Sequence, residues 1–176
     1  MRQIACLLAL LIFATAACGS GDDGAEAPAD SPAVLAAAVE ELITVDHTFG
    51  SGPPPFSTYL ILDTTDPSAG TGMSSDDAAV RALTEDERAA VEAVVSTYGT
   101  LQWIADADDF RTEDLRPTVD GAVIIGVGEP TFRDDGALVP VSLWCGGLCG
   151  TWLTYELESA DGDWVVIGTD GPVAVS

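Results

Sequence analysis

The 176 residues contain no lysine and one histidine, and their six arginines stand against 29 aspartates and glutamates. A formal net charge of −23 leaves no basic stripe to neutralise phosphates, which excludes nucleic acid as a partner. The same charge is repelled by an anionic lipid surface, so any membrane contact must come from something other than the folded surface. Solubility and mutual repulsion are its ordinary consequences, and affinity for a cation or a basic partner is the other. The scarcity of histidine removes most nucleophile systems built on an imidazole proton carrier. Asp46 adjoins His47, but neighbouring residues on an extended chain point apart. There is no Gly-x-Ser-x-Gly elbow, Walker loop or dinucleotide fingerprint, and Gly126-Val127-Gly128 is only a fragment of one. No cofactor is expected.

What is present begins with Met1-Arg2-Gln3, then an almost wholly apolar run from Ile4 to Ala17, then Cys18. One positive charge, a short apolar stretch and small residues before a cut form the signal-peptide pattern. A spanning helix needs about 20 apolar residues, so this run is too short, and polar chain follows at once. Thr15-Ala16-Ala17-Cys18 resembles the lipobox of bacterial lipoproteins, with Thr15 where Leu is usual. The resemblance implies cleavage after Ala17 and a thioether-linked diacylglyceryl group on Cys18, often with a further acyl chain such as palmitate. Two or three chains anchor stably where one does not. Cys6 lies in the discarded run. Residues 19 to 30 are small, acidic and proline-containing, a composition that reads as a flexible tether. The implied organisation is signal peptide over 1–17, lipidated tether over 18–31 and one domain over 32–176. Its destination is the extracytoplasmic face of a cell membrane, or of an outer membrane in a host that has one.

With about 140 residues, the mature body can bury about two thirds of its surface without a metal or multiple staples. Ser31-Pro32 opens a helix, Ser31 as cap and Pro32 in the first turn. Leu35, Val39, Leu42 and Ile43 recur at helical spacing, up to about Thr44. Residues 56–64 (FSTYLILDT) read as a strand, and 65–76 as loop. Thr84 and Glu87 have capping-box spacing, with three acids in the first turn of a helix that Gly99 ends. Its apolar stripe is Val91, Val94, Val95 and Tyr98. A short strand at 101–105 and an acidic loop over 106–121 follow. Strands at 122–127, 138–145, 149–158 and 164–168 then form a meander, turning at Asp134-Asp135-Gly136 and Asp161-Gly162. Helices ahead of collected strands predict an α+β fold, with N-terminal helices packed on an antiparallel β-meander. Pro140 marks its strand as an edge, or as donating no bond at that point.

Cys145-Gly-Gly-Leu-Cys149 sits at a hairpin tip. Pairing Cys145 with Cys149 sets Leu143 opposite Thr151, Val141 opposite Leu153 and Val139 opposite Tyr155 on one face of the sheet. The register that buries the apolar partners therefore brings the sulfurs together, and in an exported protein the expected product is a disulfide. Redox catalysis favours two intervening residues and a helix N-terminus, and zinc needs two more ligands. This stretch, with Asp161-Gly162-Asp163-Trp164-Val165-Val166, resembles the C-terminal sheet of uncharacterised exported bacterial proteins carrying Cys-Gly-x-Leu-Cys-Gly. That resemblance covers about the last fifty residues and brings no activity with it.

Two further groups are candidate sites. Asp106, Asp108 and Asp109, with Glu113 and Asp114, could hold calcium, although Phe110 and Arg111 break the EF-hand pattern. The same carboxylates could serve as a glycosidase acid and base. Trp144 and Trp152 fall on the sheet face opposite Cys145, where they either pack under other elements or form a platform for a sugar or peptide. The leading expectation is a lipid-anchored, non-enzymatic binding or envelope-support module. The alternatives are an envelope-polymer hydrolase using the 106–114 carboxylates and a calcium-stabilised domain. The membrane, through Cys18, is the one partner named, and any protein or glycan partner is left open.

Overall fold

The computed structural model describes residues 28–50, 52–73, 79–134 and 136–176. The leader, Cys18, most of the tether and the end of the 65–76 loop lie outside them. Two helices, α1 (Ser31–Thr44) and α2 (Glu85–Val95), accompany eight strands: β1 (Thr58–Leu62), β2 (Thr100–Ile104), β3 (Ala122–Val127), β4 (Thr131–Arg133), β5 (Gly136–Gly146), β6 (Cys149–Ala160), β7 (Asp163–Thr169) and β8 (Ala174–Val175). The strands form one sheet ordered β2-β1-β3-β5-β6-β7, with β4 beside β5 and β8 beside β6. The class is α+β.

Two expected features are corrected. The sheet is mixed: β1 runs parallel to β2 and to β3, with Thr58 opposite Thr100 on one side and Ala122 on the other. Only β3 and the strands after it follow the antiparallel pattern. Nor are both helices N-terminal, because α2 lies in the crossover that parallel neighbours β1 and β2 require. The return crossover, from β2 to β3, is the 105–121 segment. It covers the other face, where Phe110, Val119 and Trp144 pack on Leu60, Ile104, Ala122 and Ile124.

The meander holds with two adjustments. The hairpin partner of β5 at that end is β4, with Arg133 opposite Gly136, whereas β3 meets β5 farther along, from Val127 opposite Val141 to Ile124 opposite Trp144. Pro140 is therefore central, at the point where β5 passes from β4 to β3, and its carbonyl accepts from the Gly128 amide at 2.7 Å. Asp161 and Gly162 both take positive φ, +54° and +95°, as a two-residue hairpin turn demands.

Alternation along the strands puts Tyr59, Ile61, Val123, Ile125, Val139, Val141, Leu143, Leu153, Tyr155 and Leu157 on one face, against Val34, Leu35, Ala38, Val39, Leu42 and Ile43 of α1. Val91 and Val95 of α2 complete that core. Ser31 is not the cap of α1. Asp30 occupies that position without a side-chain bond, and Ser31 is buried one residue inside. Its hydroxyl donates to Glu87 Oε1 at 2.5 Å.

Glu87 does far more than close a capping box. It is fully buried and accepts from the Thr84 amide at 2.8 Å, from Arg81 Nη1 at 2.7 Å and from Arg81 Nη2 at 2.8 Å. Arg81 Nε reaches on to Glu129 at 2.7 Å. One carboxylate thus ties the start of α1, the start of α2 and the segment leading into it. Burial alone would raise its pKa, but the bonds from Arg81, Ser31 and Thr84 outweigh burial and lower it from 4.5 to about 2.

A carboxyl group whose pKa is lowered on folding contributes stability above its unfolded value and loses it as pH falls through the folded value. From that shift, the ionised Glu87 contributes about 3 kcal/mol near neutrality. Glu87→Gln should cost about 3 kcal/mol in urea melts at pH 7, since it removes the buried charge to which Arg81, Ser31 and Thr84 donate. The difference from the wild type should be complete above pH 4.5 and shrink as pH falls towards 2. A variant as stable as the wild type at pH 7 would overturn this account.

Candidate functional site

The cysteine hairpin forms as expected in outline. Val139 faces Tyr155, Val141 faces Leu153 and Leu143 faces Thr151. At the tip the register shifts between Trp144 and Gly146, so Gly146 and not Cys145 lies opposite Cys149. Cys145 and Cys149 are nonetheless joined in a disulfide, with Cα atoms 5.1 Å apart. Leu115, in the left-handed region at φ +55°, lays its side chain over Gly147.

Trp144 and Trp152 occupy the face opposite the helices, paired with Gly150 and Ser142 respectively. Both are half-covered. The Arg111 guanidinium stacks over Trp144, 4.8 Å from the ring centroid, and the loop at Gly72 lies in contact with the Trp152 ring. Neighbouring loops thus occupy part of the surface that a flat ligand would need. Of the acidic group, Asp108 is paired with Arg111 at 2.9 Å, and Asp106 accepts the Asp108 amide at 2.8 Å. The described residues hold no group of three or more His, Cys, Asp or Glu side chains placed to share a metal ion.

One surface concavity is a groove of about 470 Å³ that the sequence did not suggest. It opens where the chain leaves α1, between the 45–50 turn, β6 and the segment carrying β8. Val45, Asp46, Thr48, Thr151, Leu153 and Val175 are among its lining residues.

The 45–50 turn is rigidly held. His47 is buried; its Nδ1 accepts from the Phe49 amide at 3.3 Å, which leaves Nε2 to donate to the Gly52 carbonyl at 3.2 Å. Both ring nitrogens are used in shaping the turn, a structural role. Thr48 sits at φ +69°, a conformation costly for a β-branched residue. Its hydroxyl lies 3.8 Å from Cys149 Sγ, so the disulfide tip abuts the turn.

Asp46 turns away from His47 and accepts the Tyr155 hydroxyl at 2.7 Å. Burial, this bond and the Asp46 and Glu41 charges all raise the Tyr155 pKa and keep it a donor. Glu41 is also raised, first by burial and then by Asp46 and Glu40. Asp46 therefore lines the groove with the charge of Glu41 close behind it, at the α1 C-terminus, the negative end of the helix dipole. The ion pairs among the described residues use Arg81, Arg111 and Arg133, and none involves Asp46 or Glu41.

No family model, curated protein or solved structure matches the chain.

Closing so short a loop stabilises by about 2 kcal/mol in the chain-entropy model. Protein purified without reductant should have an intact mass two hydrogens below the dithiol value. Reduction should lower the melting temperature by several degrees, as about 2 kcal/mol does for a domain of this size. Two free thiols in the untreated protein would contradict the pairing.

Proposed function

We propose that this chain is an exported lipoprotein, held at the extracytoplasmic face of a membrane by acyl chains on Cys18, whose folded body is a non-enzymatic binding module. The observation that carries the reading is the apolar leader ending in Thr15-Ala16-Ala17-Cys18. A structural disulfide between Cys145 and Cys149 supports it, because such bonds persist in oxidising compartments. Among the described residues no helix is long and apolar enough to cross a membrane. On this reading attachment comes from lipid, and the acidic tether lets the domain stand clear of the surface.

Binding is favoured over hydrolysis because two of the candidate carboxylates and the single imidazole already have partners within the protein. Asp108 is neutralised by Arg111, and the single imidazole is committed to its own turn. The groove beside Asp46 offers concavity and fixed charge but no nucleophile with a base beside it. The finer view of the architecture is a meander from β3 onward as the scaffold that presents this groove, with the helices covering its core face.

Expressed in its native host, the wild-type protein should fractionate with membranes and incorporate labelled palmitate. Cys18→Ala should lose the label and appear in the soluble exported fraction. Equal membrane retention and labelling of the two proteins would defeat the anchored reading. Loss of envelope-sugar turnover on changing Asp108 and Asp109 to Asn would defeat the non-enzymatic one.

A further inference from the structure

We infer that the groove at the end of α1 is a docking site for an extended segment of a partner protein, and that it seats a lysine side chain of that segment against Asp46. The inference deepens the binding-module reading and rests on it.

The first argument is where the apolar surface lies. Val45, Phe49, Leu148, Val173 and Val175 make up half of the ten large apolar side chains that the described residues leave exposed. Val45, Val173 and Val175 line the groove directly. Phe49 follows Thr48 in the same turn, and Leu148, 91% exposed, precedes the cysteine whose sulfur meets Thr48. Scattered apolar residues need no explanation, but three exposed valines lining one concavity mark an interaction surface.

The second argument is charge. Asp46 keeps one carboxylate oxygen free of the Tyr155 bond, and Glu41 lies close enough to be perturbed by it. The carbonyl end of α1 adds to the same field. A cation placed there meets a negative potential that no arginine of the chain quenches among the described residues, inside a molecule already at −23. The stem of a lysine suits the rest of the lining. Its methylenes would lie along Leu153, Val173 and Val175 while the ammonium reaches the carboxylate. Thr151, only 2% exposed overall, is part of the same lining, on the face it shares with Leu153 and Tyr155.

The third argument is shape. The groove is open and shallow, and its volume of about 470 Å³ exceeds one side chain. A segment of two or three residues, with apolar neighbours flanking the lysine, would cover the exposed valines that a free amine would leave bare.

The test uses the purified protein in a neutral detergent, titrated calorimetrically with acetyl-Val-Lys-Val-amide, its norleucine analogue acetyl-Val-Nle-Val-amide, and lysine amide. The lysine peptide should bind saturably and about tenfold more tightly than the norleucine peptide, the value of one charge-assisted contact. Raising the salt should narrow that gap. Asp46→Asn keeps an acceptor for Tyr155 and should melt near the wild type, yet the tenfold preference should disappear. Tyr155→Phe should preserve the preference for the lysine peptide.

Equal binding of the two peptides, or an unchanged preference in Asp46→Asn, would overturn the site. Lysine amide binding as tightly as the tripeptide would overturn the segment and leave a small-amine pocket. None of these outcomes depends on Cys18, so the inference and the anchored reading fail separately.

Discussion

The fold turns on a single buried charge. Glu87 has no contact with solvent, and a carboxylate in that position is tolerable only because four donor groups converge on it. Those donors come from Ser31, Thr84 and the two terminal nitrogens of Arg81. None of these partners can shift independently. If α1 slides along the sheet, Ser31 leaves. If the segment before α2 lifts, Arg81 leaves and an unpaired charge remains in an apolar core. Apolar contacts set how strongly the helices adhere, and this cluster sets where they adhere. The position of α1 in turn decides where its last turn ends, and hence where Asp46 meets Tyr155.

The groove is thus a remote consequence of the helix register. Asp46 is fixed from two directions, by α1 behind it and by the Tyr155 hydroxyl from β6 beneath it. The turn beyond it is stiffened by both nitrogens of His47 and by contact with the disulfide tip. A binding surface assembled from a turn loses affinity if the turn must first be ordered. Here the ordering comes from contacts within the protein itself, through His47 and the Thr48–Cys149 contact. That is the use the chain makes of its one histidine and its one pair of joined cysteines.

Local features were the legible ones. Helix α1 could be read from Leu35, Val39, Leu42 and Ile43, and α2 from Thr84 and Glu87, because both signals span a few residues. The Cys145–Cys149 hairpin followed from strand alternation alone, apart from the one-residue shift at its tip. The parallel direction of β1 was hidden, since an apolar run such as Tyr59 to Leu62 looks alike in either direction, and α2 between β1 and β2 was the only hint. The groove was hidden for the same reason, as Asp46 and Tyr155 are 109 positions apart. The second role of Glu87 had a faint signal in Arg81, a rare cation just ahead of an acid-rich helix start. The two tryptophans were assigned to the correct face, but the loops that half-cover them come from regions with no periodic pattern.

The central placement of β1 bears on the order in which the molecule can assemble. Thr58 needs Thr100 on one flank and Ala122 on the other, so the first strand to be synthesised waits for residues made long afterwards. Pairings this distant in sequence slow folding, because the chain loses loop entropy before any contact compensates it. The sheet is therefore completed late, and until residues 100–104 and 122–125 exist β1 has no partner on either flank.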